Sequence, residues 1–169
     1  RADAGTELMV LTNQTPFYGE SGGQTGDAGT ITGDRRLLLK VDDTSKPLGR
    51  LHAHHGKITS GSIEVGDTVR LDVDAGRRDR IRANHSATHL LHAALRNHLG
   101  EHVTQKGSLV AEDRFRFDFS HPKPLTPAEI ATIDPAGQPE RLLQRGASVR
   151  HRARNRNRHG TGPRPPSHL

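Results

Sequence analysis

The chain has no cysteine and no tryptophan, one methionine, one tyrosine and four phenylalanines among 169 residues. Without cysteine there is no disulfide, and no thiolate zinc site within the chain. Hydrophobic residues make up 31%. Adding the 18 glycines brings the apolar share to about 42%, below the usual 45–50%, so part of the chain is expected to stand outside any core. No apolar run approaches the 18 residues of a membrane span, and no charged-then-apolar leader opens the sequence. A cytoplasmic location is the expectation.

The net charge of +6 points at first to an anionic partner. Its distribution says more. Residues 1–133 hold 17 Lys+Arg against 17 Asp+Glu, whereas 134–169 hold eight Arg against two acids. The excess belongs to the last 36 residues, of which only seven are hydrophobic. The stretch RHRARNRNRHGTGPRPPSHL has no period that buries a face, so 134–169 is expected to be a disordered basic tail.

Before that tail, the pattern is β-rich and then mixed. Residues 8–13, 30–32, 37–42, 51–59 and 68–73 read as short strands divided by turn-like Gly, Asp, Ser and Pro clusters. This spacing suggests a small β-barrel subdomain over 1–78. A glycine-rich loop, Thr15 to Gly29, interrupts the strands. It lacks the spacing and the lysine of a Walker-type phosphate loop.

Residues 80–99 are free of Gly and Pro and read as a helix, with Asp79 as N-cap and Gly100 closing it. Ala87, Leu91, Leu95 and Leu99 make an apolar stripe, beside which His85, His89 and His92 recur at i, i+4 and i+7. Residues 101–110 and 114–119 read as a strand pair. The alternation Arg114-Phe115-Arg116-Phe117-Asp118-Phe119 puts three Phe on one face. Thr126-Pro127-Ala128-Glu129 announces a second helix, which Asp134-Pro135 breaks after about two turns. The fold class is α+β: a barrel subdomain, the N-terminal part of an α/β domain over 79–133, and the tail.

The sharpest chemical signal is His85-Ser-Ala-Thr-His89. Two imidazoles four apart on a helix can share one metal at about 2.0–2.1 Å. Ser86 stands where a metalloprotease helix needs its glutamate, so that chemistry is excluded. His52, His54 and His55 read as exposed strand residues, and His92 as a bystander on the helix.

Longer motifs carry more information. Asn84 to Arg96 (NHSATHLLHAALR), Leu99 to Val110 (LGEHVTQKGSLV) and Arg116 to His121 (RFDFSH) together resemble the editing region of alanyl-tRNA synthetases. Upstream, Thr15 to Gln24 (TPFYGESGGQ), with Gly26-Asp27 and Gly29, resembles the loop that precedes that region. The resemblance covers about residues 5–133. It implies an incomplete editing domain behind the small barrel, acting on tRNA(Ala) mischarged with serine or glycine. A pocket large enough for alanine discriminates weakly against such neighbours, so a second, hydrolytic site is needed. It further implies that His85 and His89 are two of four zinc ligands, the others being a Cys and a His from a later C-x-x-x-H motif. By the same resemblance Gln105 lines the catalytic pocket, Thr15 and Gln24 lie at the substrate, and the acceptor end of tRNA(Ala) is the partner.

The chain contains no C-x-x-x-H, and the resemblance places no ATP site in it. Charge, hydrophobicity and resemblance all break near residue 133, as a GC-rich gene read in a shifted frame would produce. Two other readings stand beside that one. In the first, the Arg-rich tail holds RNA phosphates. In the second, a zinc hydrolase site is completed by His151, His159 or His168.

Overall fold

A computed structural model describes residues 1–133 and 148–152. The strands are β1 (Ala2–Asp3), β2 (Glu7–Leu11), β3 (Gly29–Gly33), β4 (Leu37–Ser45), β5 (Ala53–Ser60), β6 (Ser62–Ile63), β7 (Val69–Val73), β8 (Gln105–Val110), β9 (Phe115–Ser120) and β10 (Ser148–Arg152). The helices are α1 (Ala75–Leu99) and α2 (Pro127–Ile133). The fold is mixed α+β with mostly antiparallel sheets.

Five strands form an antiparallel sheet in the order β2-β5-β4-β3-β7, and β1 pairs with β6 beside it. Alternation drives the main sheet. In β4, Leu37, Leu39 and Val41 point inward while Leu38 and Lys40 point out. With Phe17, Ile31 and Ile58 they make the first core cluster.

The second unit is built on β8 and β9, an antiparallel pair. Phe115, Phe117 and Phe119 are all buried on one face, as their alternation requires. Against this face α1 lays Ile81, Leu91 and Leu95, with Val103, Val110 and Ile133 completing the cluster. Asn84 is buried in the same helix face. Its Nδ2 donates to the Ala111 carbonyl at 2.8 Å, tying α1 to the β8–β9 turn. At α2, Thr126 and Glu129 form a reciprocal capping box. These bonds to Thr126 hold the Glu129 carboxyl down to about 2.

Three sequence expectations are corrected. The helix begins at Ala75, and its N-cap is Asp74, whose carboxylate accepts from the Arg77 amide at 2.9 Å. Gly76 in the first turn masks this start in the sequence. His54 is fully buried rather than exposed. Residues 148–152, inside the segment expected to be disordered, form β10, which runs parallel to β9. An open strand edge offers main-chain donors and acceptors that any backbone can meet, so hydropathy alone does not forbid such pairing. The disorder expected for 134–147 and 153–169, and the roles considered for His159, His168 and the His151 side chain, lie outside the described residues.

Among the described residues, no helix is long and apolar enough to cross a membrane.

Candidate functional site

The glycine-rich loop lies between the two units and is bonded to both. On one side Glu20 donates its amide to the Thr44 carbonyl at 2.8 Å, and the Thr44 hydroxyl donates to the Asp27 carbonyl at 2.9 Å. On the other, Val110 donates to Gly23 at 2.8 Å and Thr25 donates to Val110 at 3.0 Å, so the loop runs along β8 as a short parallel bridge. Gly23 makes this approach possible. Its φ is +86°, and a methyl group there would collide with the Ser108 carbonyl.

Helix α1 clasps the same loop. Arg77 donates to the Gly26 carbonyl at 2.6 Å, and Arg78 donates to the Pro16 carbonyl at 2.7 Å while pairing with the buried Asp27 carboxylate. Asp27 also accepts the Tyr18 amide at 2.6 Å. No local pattern in the sequence announces this latch, although Gly26-Asp27 lies inside the glycine-rich motif.

Held in this way, Gln24 reaches α1. Its Oε1 accepts from His85 Nδ1 at 2.8 Å. With the proton on Nδ1, His85 Nε2 presents its lone pair, and His89 Nε2 lies 2.8 Å from it as donor. The two rings are 4.7 Å apart between centroids and solvent-exposed. Gln105 stands on the other flank of the loop. Its amide donates to Ser108 Oγ at 3.1 Å, and Ser108 in turn donates to the Gly22 carbonyl at 3.4 Å. Gln105, Lys106, Gly107 and Ser108 with Gly22 and Gly23 line an open cavity of about 450 Å³.

Thr15 is engaged differently. Its hydroxyl bonds His54 Nε2 at 2.8 Å and accepts the Phe17 amide at 3.0 Å. His54 Nδ1 donates to the Val10 carbonyl at 2.9 Å, so Nε2 accepts from Thr15. Burial pushes the His54 pKa below its ordinary value. Below the ordinary value near 6.5 the unfolded chain takes up a proton that the folded chain refuses, so stability falls as pH falls from there toward the folded value. Thermal melts from pH 7.5 to 5.5 should show this as a loss of up to about 1.4 kcal/mol per pH unit. The loss should be smaller in His54→Gln, and an equal slope in the two proteins would remove His54 as its source.

His92 packs its ring 5.2 Å from Phe117 and buries Nε2 without a hydrogen bond. It is therefore a core neighbour. Among the described residues, no third His, Cys, Asp or Glu joins His85 and His89 in a group that could hold a metal ion.

Residues 1–77 match the family described as tRNA synthetases class II (A). Alanine–tRNA ligase of Rhizorhabdus wittichii is 71% identical over 133 residues, that of Sphingopyxis alaskensis 73% over 133, and that of Parvibaculum lavamentivorans 56% over 134. The chain belongs to the alanyl-tRNA synthetase family. Each alignment takes in 79% of the chain, and the chain spans about 15% of the length of these ligases. The aligned length equals that of the segment preceding the change in composition.

Proposed function

We propose that this chain carries part of the editing site of an alanine–tRNA ligase, which hydrolyses the ester of tRNA(Ala) mischarged with serine or glycine. The observation that carries the reading is the Gln24–His85–His89 chain of hydrogen bonds. A metal-binding imidazole commonly gives its other N–H to an oxygen acceptor, which fixes ring and tautomer. Gln24 Oε1 supplies that acceptor for His85. Two ligands at zinc distances and tetrahedral angles stand about 3.3 Å apart. The two Nε2 atoms lie 2.8 Å apart, so a small opening admits the ion. The donor set therefore fits zinc as half of a tetrahedral site. When bound, the metal supplies a Lewis acid and a fixed positive charge beside the ester.

The chain's own side chains have distinct tasks in this reading. Gln24 orients His85. Gln105 presents its amide N–H groups to the ester from across the loop. Thr15, fixed by His54, sets the course of the chain into the loop toward the substrate. The acceptor end of tRNA(Ala) is the partner. The β-rich unit is the small barrel that precedes the editing domain. In support of a closing sheet, the edge strands β2 and β7 line one cavity of about 760 Å³.

With two of four ligands, zinc should bind weakly, and the purified chain should show little or no deacylation. Cobalt(II) titration, read by its visible absorption, should give a site whose affinity falls at least tenfold in His85→Ala and in His89→Ala. Gln24→Leu should weaken it by about tenfold through the freed His85 ring. Unchanged cobalt affinity in both His variants would overturn the metal assignment. Clear zinc-dependent hydrolysis of Ser-tRNA(Ala) would overturn the expectation of inactivity.

A further inference from the structure

A further cavity lies between the loop and the first turns of α1, and Gln24 links it to the imidazole pair. It measures about 470 Å³, and its lining includes Pro16, Tyr18, Gln24, His52, Arg78 and Arg82. That volume lies within the range of small-molecule sites, about 300–1,000 Å³. Gln24 is shared: its side chain lines this cavity and holds His85. A ligand at the imidazole pair and a ligand in the cavity would be neighbours.

The cations here differ in what they are free to do. Arg78 is committed to Asp27 and the Pro16 carbonyl. Arg82 is 75% exposed, and its ion pair is a 3.7 Å contact with equally exposed Asp79 three residues earlier. Such a surface pair is worth at most about 1 kcal/mol, and an incoming phosphate can displace it. Tyr18 also lines the cavity; it is 38% exposed, and its hydroxyl donates to the Ser21 carbonyl at 3.1 Å. An anchored aromatic ring and an available guanidinium lining one cavity are the pairing that binds single-stranded RNA, one stacking a base and the other meeting a phosphate. Among the described residues that line this cavity, the one carboxylate, Asp27, is neutralised by Arg78, so none is left to repel an anion.

We propose that this cavity seats the nucleotide preceding the esterified one in the single-stranded end of the RNA, with Arg82 on its phosphate and Tyr18 on its base. The assignment rests on the ester being held at the imidazole pair. It gives a reason for Tyr18 to lie so close to Gln24 in this loop: one loop grips two consecutive nucleotides.

Two probes separate this subsite from the ester site. One is a fluorescent RNA hairpin with a single-stranded CCA end carrying a non-hydrolysable 3′-serylamide. The other is the serylamide of adenosine alone. Arg82→Ala should weaken the hairpin about five- to tenfold and lower the salt slope of log K by about 0.7, the value for one phosphate on single strands. Arg82→Lys should recover the slope. Tyr18→Leu should weaken the hairpin about tenfold with the slope unchanged, and Tyr18→Phe should restore binding. All four variants should keep the parent's thermal melt, its cobalt affinity and its affinity for the adenosine probe. If the adenosine probe binds and the hairpin binds Arg82→Ala and Tyr18→Leu as it binds the parent, the subsite is overturned and the ester site stands. If the parent binds neither probe, both assignments fall.

Discussion

Truncating Phe117 to alanine is expected to cost about 3–5 kcal/mol, the usual range for a buried phenylalanine. Phe117 is fully buried at the centre of β9, between Phe115 and Phe119 in sequence and against the ring of His92. Its neighbours offer little means of collapse. Phe119 is stacked on it at 6.3 Å between centroids, and Leu91 and Leu95 are fixed on a helix that Asn84 bonds to the β8–β9 turn. Domains of this size are typically stable by about 5–15 kcal/mol, so the loss is a large fraction of the whole. Urea unfolding followed by far-ultraviolet circular dichroism gives the measurement. Val65→Ala is the control: Val65 is wholly exposed and should change stability by less than about 0.5 kcal/mol. A Phe117→Ala protein within 1 kcal/mol of the parent would show that the three-Phe face is not packed as described.

The second large effect is expected at Gly23, and its contrast with Gly22 makes it specific. Both have positive φ, +60° at Gly22 and +86° at Gly23. At Gly22 an added Cβ meets nothing within 4 Å, whereas at Gly23 it runs into the Ser108 carbonyl. Gly22→Ala should therefore cost only the left-handed backbone penalty, about 1–2 kcal/mol. Gly23→Val should add an overpacking cost of similar or larger size, about 1–3 kcal/mol, and push the loop off β8. The amide of Val110, which donates to Gly23, should then lose hydrogen-exchange protection while the amides shared by β8 and β9 keep theirs. Cobalt affinity should fall with it, since Gln24 would no longer reach His85. Equal exchange at Val110 in Gly22→Ala and Gly23→Val would show that the loop does not depend on this contact.

Much of this architecture is legible in the residues. The strict alternation around Phe115, Phe117 and Phe119 carries both the strand and its buried face. Thr126 and Glu129 mark the start of α2 by their residue types and spacing alone. The five longer strands of the β-rich unit fall where the turn clusters divide them. Three features resist for physical reasons. Two aspartates five residues apart, Asp74 and Asp79, both precede helical sequence, and Gly76 makes the nearer one look like the start. Burial of His54 depends on partners in another strand and in the loop entry, Val10 and Thr15, which no local pattern reveals. The pairing of β10 with β9 is made by main-chain atoms, to which composition is blind.

The candidate site divides in the same way. His85 and His89 are visible as a helical pair, and Gln24 and Gln105 through the resemblance to the editing region. The bond that joins Gln24 to His85, and the Arg77–Arg78 clasp that sets it, are tertiary. An arginine pair at the start of a helix reads from sequence as solvated surface. Only the fold turns it toward Gly26 and Asp27.

The wedging of the loop between two units also bears on the order of folding. The Thr25–Val110 contact spans 85 positions of the chain, and Gln24–His85 spans 61. The β8–β9 hairpin closes over far shorter distances, whereas Glu7 of β2 pairs with Lys57 of β5 across 50 positions in the first sheet. Long closures are entropically costly until the surfaces they join exist. The Thr25–Val110 and Gln24–His85 contacts each join the loop to the second unit while its other bonds hold the first, so the loop is expected to dock after both cores have formed and to be released first under mild denaturant. A population with two intact cores and an unassembled site should exist at urea concentrations below the main unfolding transition.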